Sequence, residues 1–204
     1  MFKLFLVRHG ETVWNKETRL QGGGSDIDLN DLGKKQAELA AEALRGEKLN
    51  AIACSTLKRA LYTAQAIAGY HHLEVQTYSG LKEIDAGSID GLKGEEISKT
   101  YPEFFKEWAS GQIERIPGGE SLHEVQARAW TVVEDLKKRY SPGRVVLVSH
   151  TFVTSTIICR ALGVDLRLSR RLSASNGGIS LLEFGPRYAT LAYFNNTCHL
   201  REQK

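Results

Sequence analysis

A chain of 204 residues that is 42% hydrophobic and 25% charged, with four prolines, has the composition of an ordinary folded domain and excludes a disordered or fibrous one. Domains cluster at about 100 to 200 residues, so one domain is expected over residues 1–204. A net charge of +3 is too small to hold a polyanion along an extended face, which argues against nucleic-acid binding while leaving room for a few arginines serving one small anion.

Phe2 to Val7 is apolar apart from Lys3 and predicts a strand buried on both faces, as in a parallel sheet covered by helices. The run is too short for a signal-peptide core, and Arg8 ends it. No stretch approaches the roughly 20 apolar residues of a membrane span. Cys54, Cys159 and Cys198 form neither a disulfide framework nor a metal pair, so a reducing cytoplasm is the expected compartment.

Asn30 predicts the cap of a helix with Leu32, Leu39, Ala40, Ala43 and Leu44 on one stripe and Gly46 near its end. A short strand, Ala51 to Cys54, and a second helix, Leu57 to Ala68, follow, giving the alternation of an α/β domain. Residues 92–120 differ: charged, aromatic, carrying Pro102 and closing on the Gly- and Pro-containing stretch Gly111 to Gly119, they read as a small helical insertion over the sheet. Ser121 and Glu124 form a capping box for a helix whose Leu122, Val125, Ala129, Val132, Leu136 and Tyr140 recur at helical spacing. An apolar strand, Val145 to Val148, precedes a helix from Phe152 to Leu162 stopped by Gly163. Two strands, Ile179 to Phe184 and Tyr188 to Phe194, close the chain around Gly185-Pro186. The expected fold class is α/β: a three-layer α/β/α sandwich with a mostly parallel central sheet.

Both long apolar strands end in histidine, at Arg8-His9-Gly10 and Ser149-His150. Ligands of open α/β sheets bind outside the carboxyl ends of the strands, so the two histidines share one crevice if the strands are neighbours. Arginine beside histidine points to phosphate, whose oxygens match the guanidinium fork. A neutral imidazole can attack phosphorus, splitting one displacement into two through a phosphohistidine. Arg59 is a second candidate phosphate ligand. A proton donor for the leaving alcohol requires a carboxyl held above its free value, and Glu83, Asp85 and Glu95 all remain open on these grounds.

Leu6-Val7-Arg8-His9-Gly10-Glu11-Thr12 with Trp14-Asn15 resembles the signature of the histidine phosphatase superfamily, in its phosphoglycerate-mutase-like branch. Further matches are Gln21-Gly22, Ser55 to Ala64, Leu81-Lys82-Glu83 with Gly87 and Asp90-Gly91, Pro117 to Ser121, and Val148-Ser149-His150. The resemblance implies that His9 is the phosphorylated nucleophile, that Arg8, Arg59 and His150 surround the phosphoryl oxygens, and that Glu83 is the proton donor. It also implies phosphate or substrate contacts for Asn15, Gln21, Gly22 and Thr151, and places Glu120-Ser121 near the pocket mouth. Thr151 departs from the family's usual glycine, the loop Gly22 to Gly24 is one residue longer, and the usual proline is missing from Ser25 to Asn30.

Other motifs carry less. Cys54 and Arg59 are spaced too closely for a cysteine-phosphatase loop, and Asp26-Ile27-Asp28-Leu29-Asn30 lacks the glycine and glutamate of a calcium loop. The triple glycine lacks a P-loop ending, and His71, His72, His123 and His199 have no partner at metal spacing, so no cofactor or metal is expected. Arg160, Arg167, Arg170 and Arg171 read as a solvated face or an electrostatic rim. The expected activity is a metal-independent phosphomonoester hydrolase acting on a small phosphorylated metabolite, with members acting on α-ribazole 5′-phosphate as the first comparison. The alternatives are a phosphoglycerate mutase or phosphoglycerate-directed phosphatase, and an inactive phosphate-binding regulator. Arg8, His9, Arg59, Glu83 and His150 are all present, which disfavours the regulator. Pocket walls are expected from Gly22 to Ser25, residues 92–120 and Asn176, and both monomer and homodimer stay open.

Overall fold

A computed structural model describes residues 1–110 and 115–201. The predicted strands form β1 (Phe2–Arg8), β2 (Ala51–Ser55), β4 (Gly143–Ser149), β5 (Ile179–Phe184) and β6 (Ala189–Asn196). A short β3 (Val75–Tyr78) joins them; it is only half-buried at the sheet edge, and so lacks the apolar run that marks the central strands. Strand order is β3-β2-β4-β1-β5-β6. β3, β2, β4 and β1 pair in parallel, β5 runs against β1, and β6 runs against β5.

The continuous apolar runs follow from burial on both faces. Leu4, Leu6, Ala53, Val145 and Leu147 point into one core with side chains of α6 (Leu122–Tyr140) and α7 (Thr151–Leu162). The alternate residues Phe5, Val7, Ile52, Cys54, Val146 and Val148 meet α2 (Asp31–Leu44) and α3 (Lys58–His71) on the other face. The result is the expected three-layer α/β/α arrangement.

Local signals place the helix ends, from the short α1 (Val13–Lys16), where the Thr12 hydroxyl accepts the Asn15 N–H, onward. Asn30 accepts the Gly33 N–H to open α2, Ser121 and Glu124 form a reciprocal capping box on α6, and Gly163 stops α7 in the left-handed region at φ 65°. The stripe assigned to α2 needs correction. Gly33, Ala37, Ala40, Ala41 and Leu44 face the core, whereas Leu32 is 50% exposed and Ala43 is also exposed. Gly33 meets the loop after β1, while Ala40, Ala41 and Leu44 pack with residues of the sheet and α3. Residues 92–120 contain α4 (Gly94–Thr100) and α5 (Pro102–Ser110); Pro102 starts the second helix rather than breaking it, since its missing N–H has no partner to lose at a first helical position. The expected stretch Gly111 to Gly119 lies partly outside the described residues, and from Arg115 it returns by a bridge to Ser121.

Candidate active site

The parallel pairing of β1 with β4 sets Arg8 opposite Ser149, so His9 and His150 leave neighbouring strand ends together. Their ring centroids lie 5.0 Å apart. His9 Nδ1 faces the Gly10 carbonyl at 2.7 Å, and a carbonyl only accepts, so Nδ1 carries the proton and Nε2 keeps its lone pair. His150 has the opposite tautomer. Arg59 Nε donates to its Nδ1 at 3.3 Å, leaving Nε2–H as a buried donor without a partner.

At this site two further buried donors, Arg8 Nε and Gln21 Nε2, are also unpaired among the described residues. Arg8 is held through Nη1 to the Ala174 carbonyl, and Gln21 through its Oε1, which accepts the Thr12 hydroxyl. Unpaired buried donors of this kind are rare in folded proteins and mark a place where an acceptor belongs. Arg59, fully buried near the start of α3, is fixed by donating to the carbonyls of Ser25 at 2.8 Å and Gly22 at 3.1 Å. That loop is itself tied by Asp90, which accepts from the Gly22 N–H and the Ser25 hydroxyl.

Glu83, 6% exposed, accepts the Ile84 N–H on Oε1 and the Phe152 N–H on Oε2. Burial raises its carboxyl above the ordinary range against the pull of those two N–H groups, Arg59 and Arg8. Burial, together with the positive charges of Arg59 and Arg8, holds His9 well below its ordinary value, and the same causes act on His150. Burial also lowers Arg59, to about 10, so it stays charged at neutrality. The site therefore combines two neutral imidazoles, two guanidinium ions and a carboxyl biased toward its protonated form.

A cavity of about 430 Å³ lies beside this cluster and shares Arg8 with it. Arg8, Asn15 and Asn176 supply polar lining, and Leu20, Leu92, Ile97, Phe105 and Trp108 supply an apolar wall, mostly from the 92–120 segment. Asn176 Nδ2 donates to the His9 carbonyl and to Asn15 Oδ1, which leaves Asn15 Nδ2 and Asn176 Oδ1 unpaired among the described residues.

The structure thus brings together Arg8, His9, Asn15, Gln21, Arg59, Glu83 and His150. Gly22 differs from expectation: its N–H is taken by Asp90 and its carbonyl by Arg59, so it anchors an arginine and has no donor to offer a phosphate. The Gly22 to Ser25 loop likewise supports Arg59 and is absent from the wall of the 430 Å³ cavity. Thr151 begins α7, and the Phe152 N–H beside it serves Glu83. Glu120 is absent from the lining of the 430 Å³ cavity; it binds Arg128 and the Asp85 N–H and lies with Glu83 on a separate cavity of about 300 Å³. Of the arginine cluster, Arg170 lies over the Trp108 ring at 5.0 Å, Arg160 over Trp130 at 5.9 Å, and Arg167 pairs with Asp165. Sequence reasoning missed the anchoring roles of Asp90 and Ser25, although the Asp90-Gly91 match already marked one of them.

An α/β sheet that presents two histidines, one buried and one part-buried arginine and a buried carboxyl near adjacent strand ends suits an enzyme that handles phosphate. The chain matches the histidine phosphatase superfamily (branch 1) over residues 4–197 and belongs to that family. It is 40% identical to phosphoserine phosphatase 1 of Hydrogenobacter thermophilus over 203 residues, covering 99% of this chain and 96% of that protein. Among solved structures, phosphoserine phosphatase from Entamoeba histolytica, a histidine-to-alanine variant in complex with phosphoserine, superposes with a TM-score of 0.88 at 33% identity, covering 98% of this chain and 100% of that one. A putative α-ribazole-5′-phosphate phosphatase from Escherichia coli superposes with a TM-score of 0.85 at 25% identity, each chain covered to 96%. The chain is a phosphomonoester hydrolase of this superfamily. Among the described residues, no helix is long and apolar enough to cross a membrane.

Proposed function

We propose that the chain hydrolyses small phosphomonoesters through a covalent intermediate on His9 Nε2, with Arg8 and Arg59 supplying the fixed positive charge that a metal ion provides in other phosphatases. The observation that carries this reading is the His9 tautomer: Nδ1–H locked on Gly10 and Nε2 free, beside unpaired donors on Arg8, His150 and Gln21. In the first step the Nε2 lone pair forms the N–P bond, the P–O ester bond breaks, and the departing oxygen takes the Glu83 proton. In the second, water gives its proton to the Glu83 carboxylate and attacks phosphorus. The N–P bond breaks with its electron pair returning to Nε2, and inorganic phosphate leaves.

For the alcohol portion, O-phosphoserine ranks first. Two relatives with that named activity support it, and Asn15 Nδ2 and Asn176 Oδ1 offer a donor for a carboxylate and an acceptor for an ammonium. A second reading, α-ribazole 5′-phosphate, is favoured by the wall of Leu20, Leu92, Ile97, Phe105 and Trp108, which suits a flat apolar base. Mutase activity is the alternative: it requires a phosphoenzyme that resists water and returns its phosphoryl group to a second alcohol.

The test is a panel of O-phosphoserine, α-ribazole 5′-phosphate and 3-phosphoglycerate compared by kcat/KM in chelator, with His9→Ala alongside and acid quenching to trap labelled protein. Release of phosphate, abolished in His9→Ala, is expected. Turnover that survives His9→Ala or demands added metal overturns the mechanism, and transfer to phosphoglycerate without phosphate release converts the assignment to mutase.

A further inference from the structure

Glu83 sits in a segment with no regular structure of its own, between a 3-10 turn at Ser79–Leu81 and another at Gly87–Ile89. Its own backbone belongs to no strand ladder or α-helix. Among the described residues its carboxyl receives hydrogen bonds from backbone N–H groups alone, Ile84 and Phe152 at the start of α7, so its position depends on how the backbone of residues 80–85 is held against that helix.

The Ser149 hydroxyl donates to the Leu81 carbonyl and the Gly23 N–H to the Ile84 carbonyl, each at 2.8 Å, and the largest set of contacts to that backbone comes from one side chain of α6. Arg128 Nη1 donates to the carbonyls of Gly80 at 2.9 Å and Lys82 at 2.5 Å, and Nη2 donates to the carbonyl of Glu83 at 3.0 Å. The two remaining N–H groups go to Glu120, Nε to Oε1 at 2.9 Å and Nη2 to Oε2 at 2.9 Å. All five guanidinium donors are thus in use. Glu120 completes the clamp, its Oε2 accepting the Asp85 N–H at 2.8 Å while its own N–H donates to the Asp85 carbonyl at 3.0 Å. The pair is well shielded, with side-chain exposures of 22% and 25%. Three carbonyls within four residues, plus one N–H on the far side, are a dense set of side-chain contacts for so short a loop.

We propose that Arg128, locked by Glu120, is the positioning residue that aims the Glu83 carboxyl at the departing oxygen. The inference rests on reading Glu83 as the proton donor. Without Arg128 the carbonyls of Gly80, Lys82 and Glu83 lose their side-chain donor and the Glu120 carboxylate loses its cation, so the segment relaxes toward solvent. A displacement of about 1 Å at a catalytic group is enough to lower a rate about a hundredfold.

The experiment separates positioning from general damage through the leaving group. An alkoxide needs a proton to depart, whereas 2,4-dinitrophenolate leaves without one. We expect Arg128→Met to lower kcat/KM for β-glycerophosphate about 30-fold and that for 2,4-dinitrophenyl phosphate less than about threefold. Arg128→Lys, which keeps the charge and part of the donor set, is expected to restore most of the lost rate, and Glu120→Gln to show the same split in milder form. Glu83→Gln, run in parallel, should show the largest split, about 10²- to 10⁴-fold on the alkyl ester. If Glu83→Gln loses both substrates equally, the proton-donor reading fails. If Glu83→Gln shows the split while Arg128→Met loses both equally or neither, the positioning role alone is overturned. Should Arg128→Met fail to fold by circular dichroism, Arg128→Lys and Glu120→Gln decide the matter on the same two substrates.

Discussion

Gly33 lies in the first turn of α2, where its backbone touches the loop that carries His9. A Cβ built on Gly33 would sit 2.0 Å from the Glu11 carbonyl oxygen and 2.7 Å from the Glu11 nitrogen; one built on Gly10 would sit 2.1 Å from the Gly33 oxygen. Real Cβ atoms essentially never approach closer than 3.0 Å, so Gly33→Ala must push helix and loop apart by about 1 Å. The contacts at risk hold the loop: Glu11 N–H donates to Gln36 Oε1 at 2.8 Å, and Asn30 Nδ2 to Glu11 Oε1 at 2.8 Å. Overpacking of this kind costs about 1 to 3 kcal/mol, offset by up to about 1 kcal/mol from replacing glycine in a helix. A net loss of about 1 to 2 kcal/mol lowers Tm by roughly 2 to 8 °C in a chain of this size. Because the Gly10 carbonyl receives His9 Nδ1–H, the same shift turns the imidazole, and kcat/KM for p-nitrophenyl phosphate should drop by about 10²-fold. Gly69→Ala is the internal control. It lies in α3 with no atom within 4 Å of the built Cβ, so it should gain about 0.5 to 1 kcal/mol and keep its activity. Thermal unfolding by circular dichroism and steady-state kinetics on both variants give the answer. A Gly33→Ala protein as stable as the parent, with kcat/KM within about twofold, would refute the reasoning.

With Glu83 raised by burial, kcat/KM for an alkyl phosphate should decline on the alkaline side as that proton is lost, and Glu83→Gln should flatten that limb of the pH profile. His9 and His150 lie well below the usual 6.5 in the folded chain, chiefly through burial, so the unfolded state takes up protons first as pH falls through that value. Stability is therefore expected to fall with pH below 6.5 until the folded-state values are reached, and urea midpoints should show a shallower slope there in His9→Ala. Burial pushes the Cys54 thiol up to about 12 and Cys159 up to about 11, whereas Cys198 is exposed. Ellman's reagent should thus titrate one thiol in the native protein and all three after denaturation; rapid reaction of a second native thiol would contradict the packing.

Much of the fold is legible because its signals are local. The run Phe2 to Val7, the Ser121 and Glu124 capping box and the stop at Gly163 each depend on neighbours a few residues away. Where burial depends on a distant partner, pattern alone misleads: Leu32 reads as core on a helical wheel, but α2 turns Gly33 to the Glu11 backbone and Ala40, Ala41 and Leu44 to the sheet and α3. Edge strand β3 escapes notice for a related reason, its half-buried residues having no continuous apolar run to display.

The site divides along the same line. Arg8, His9, Arg59, Glu83 and His150 are identifiable from residue type, strand-end position and the ordered family pattern. Tertiary structure alone decides that β1 lies beside β4, which histidine is the donor and which the acceptor, and that Gly22 supports Arg59 instead of a phosphate. It alone reveals Arg128 holding the carbonyls of Gly80, Lys82 and Glu83 from another element. The physical reason is that these anchors are backbone carbonyls. Every residue type supplies one, so the side chains that seek them leave no mark in the sequence until the chain has folded.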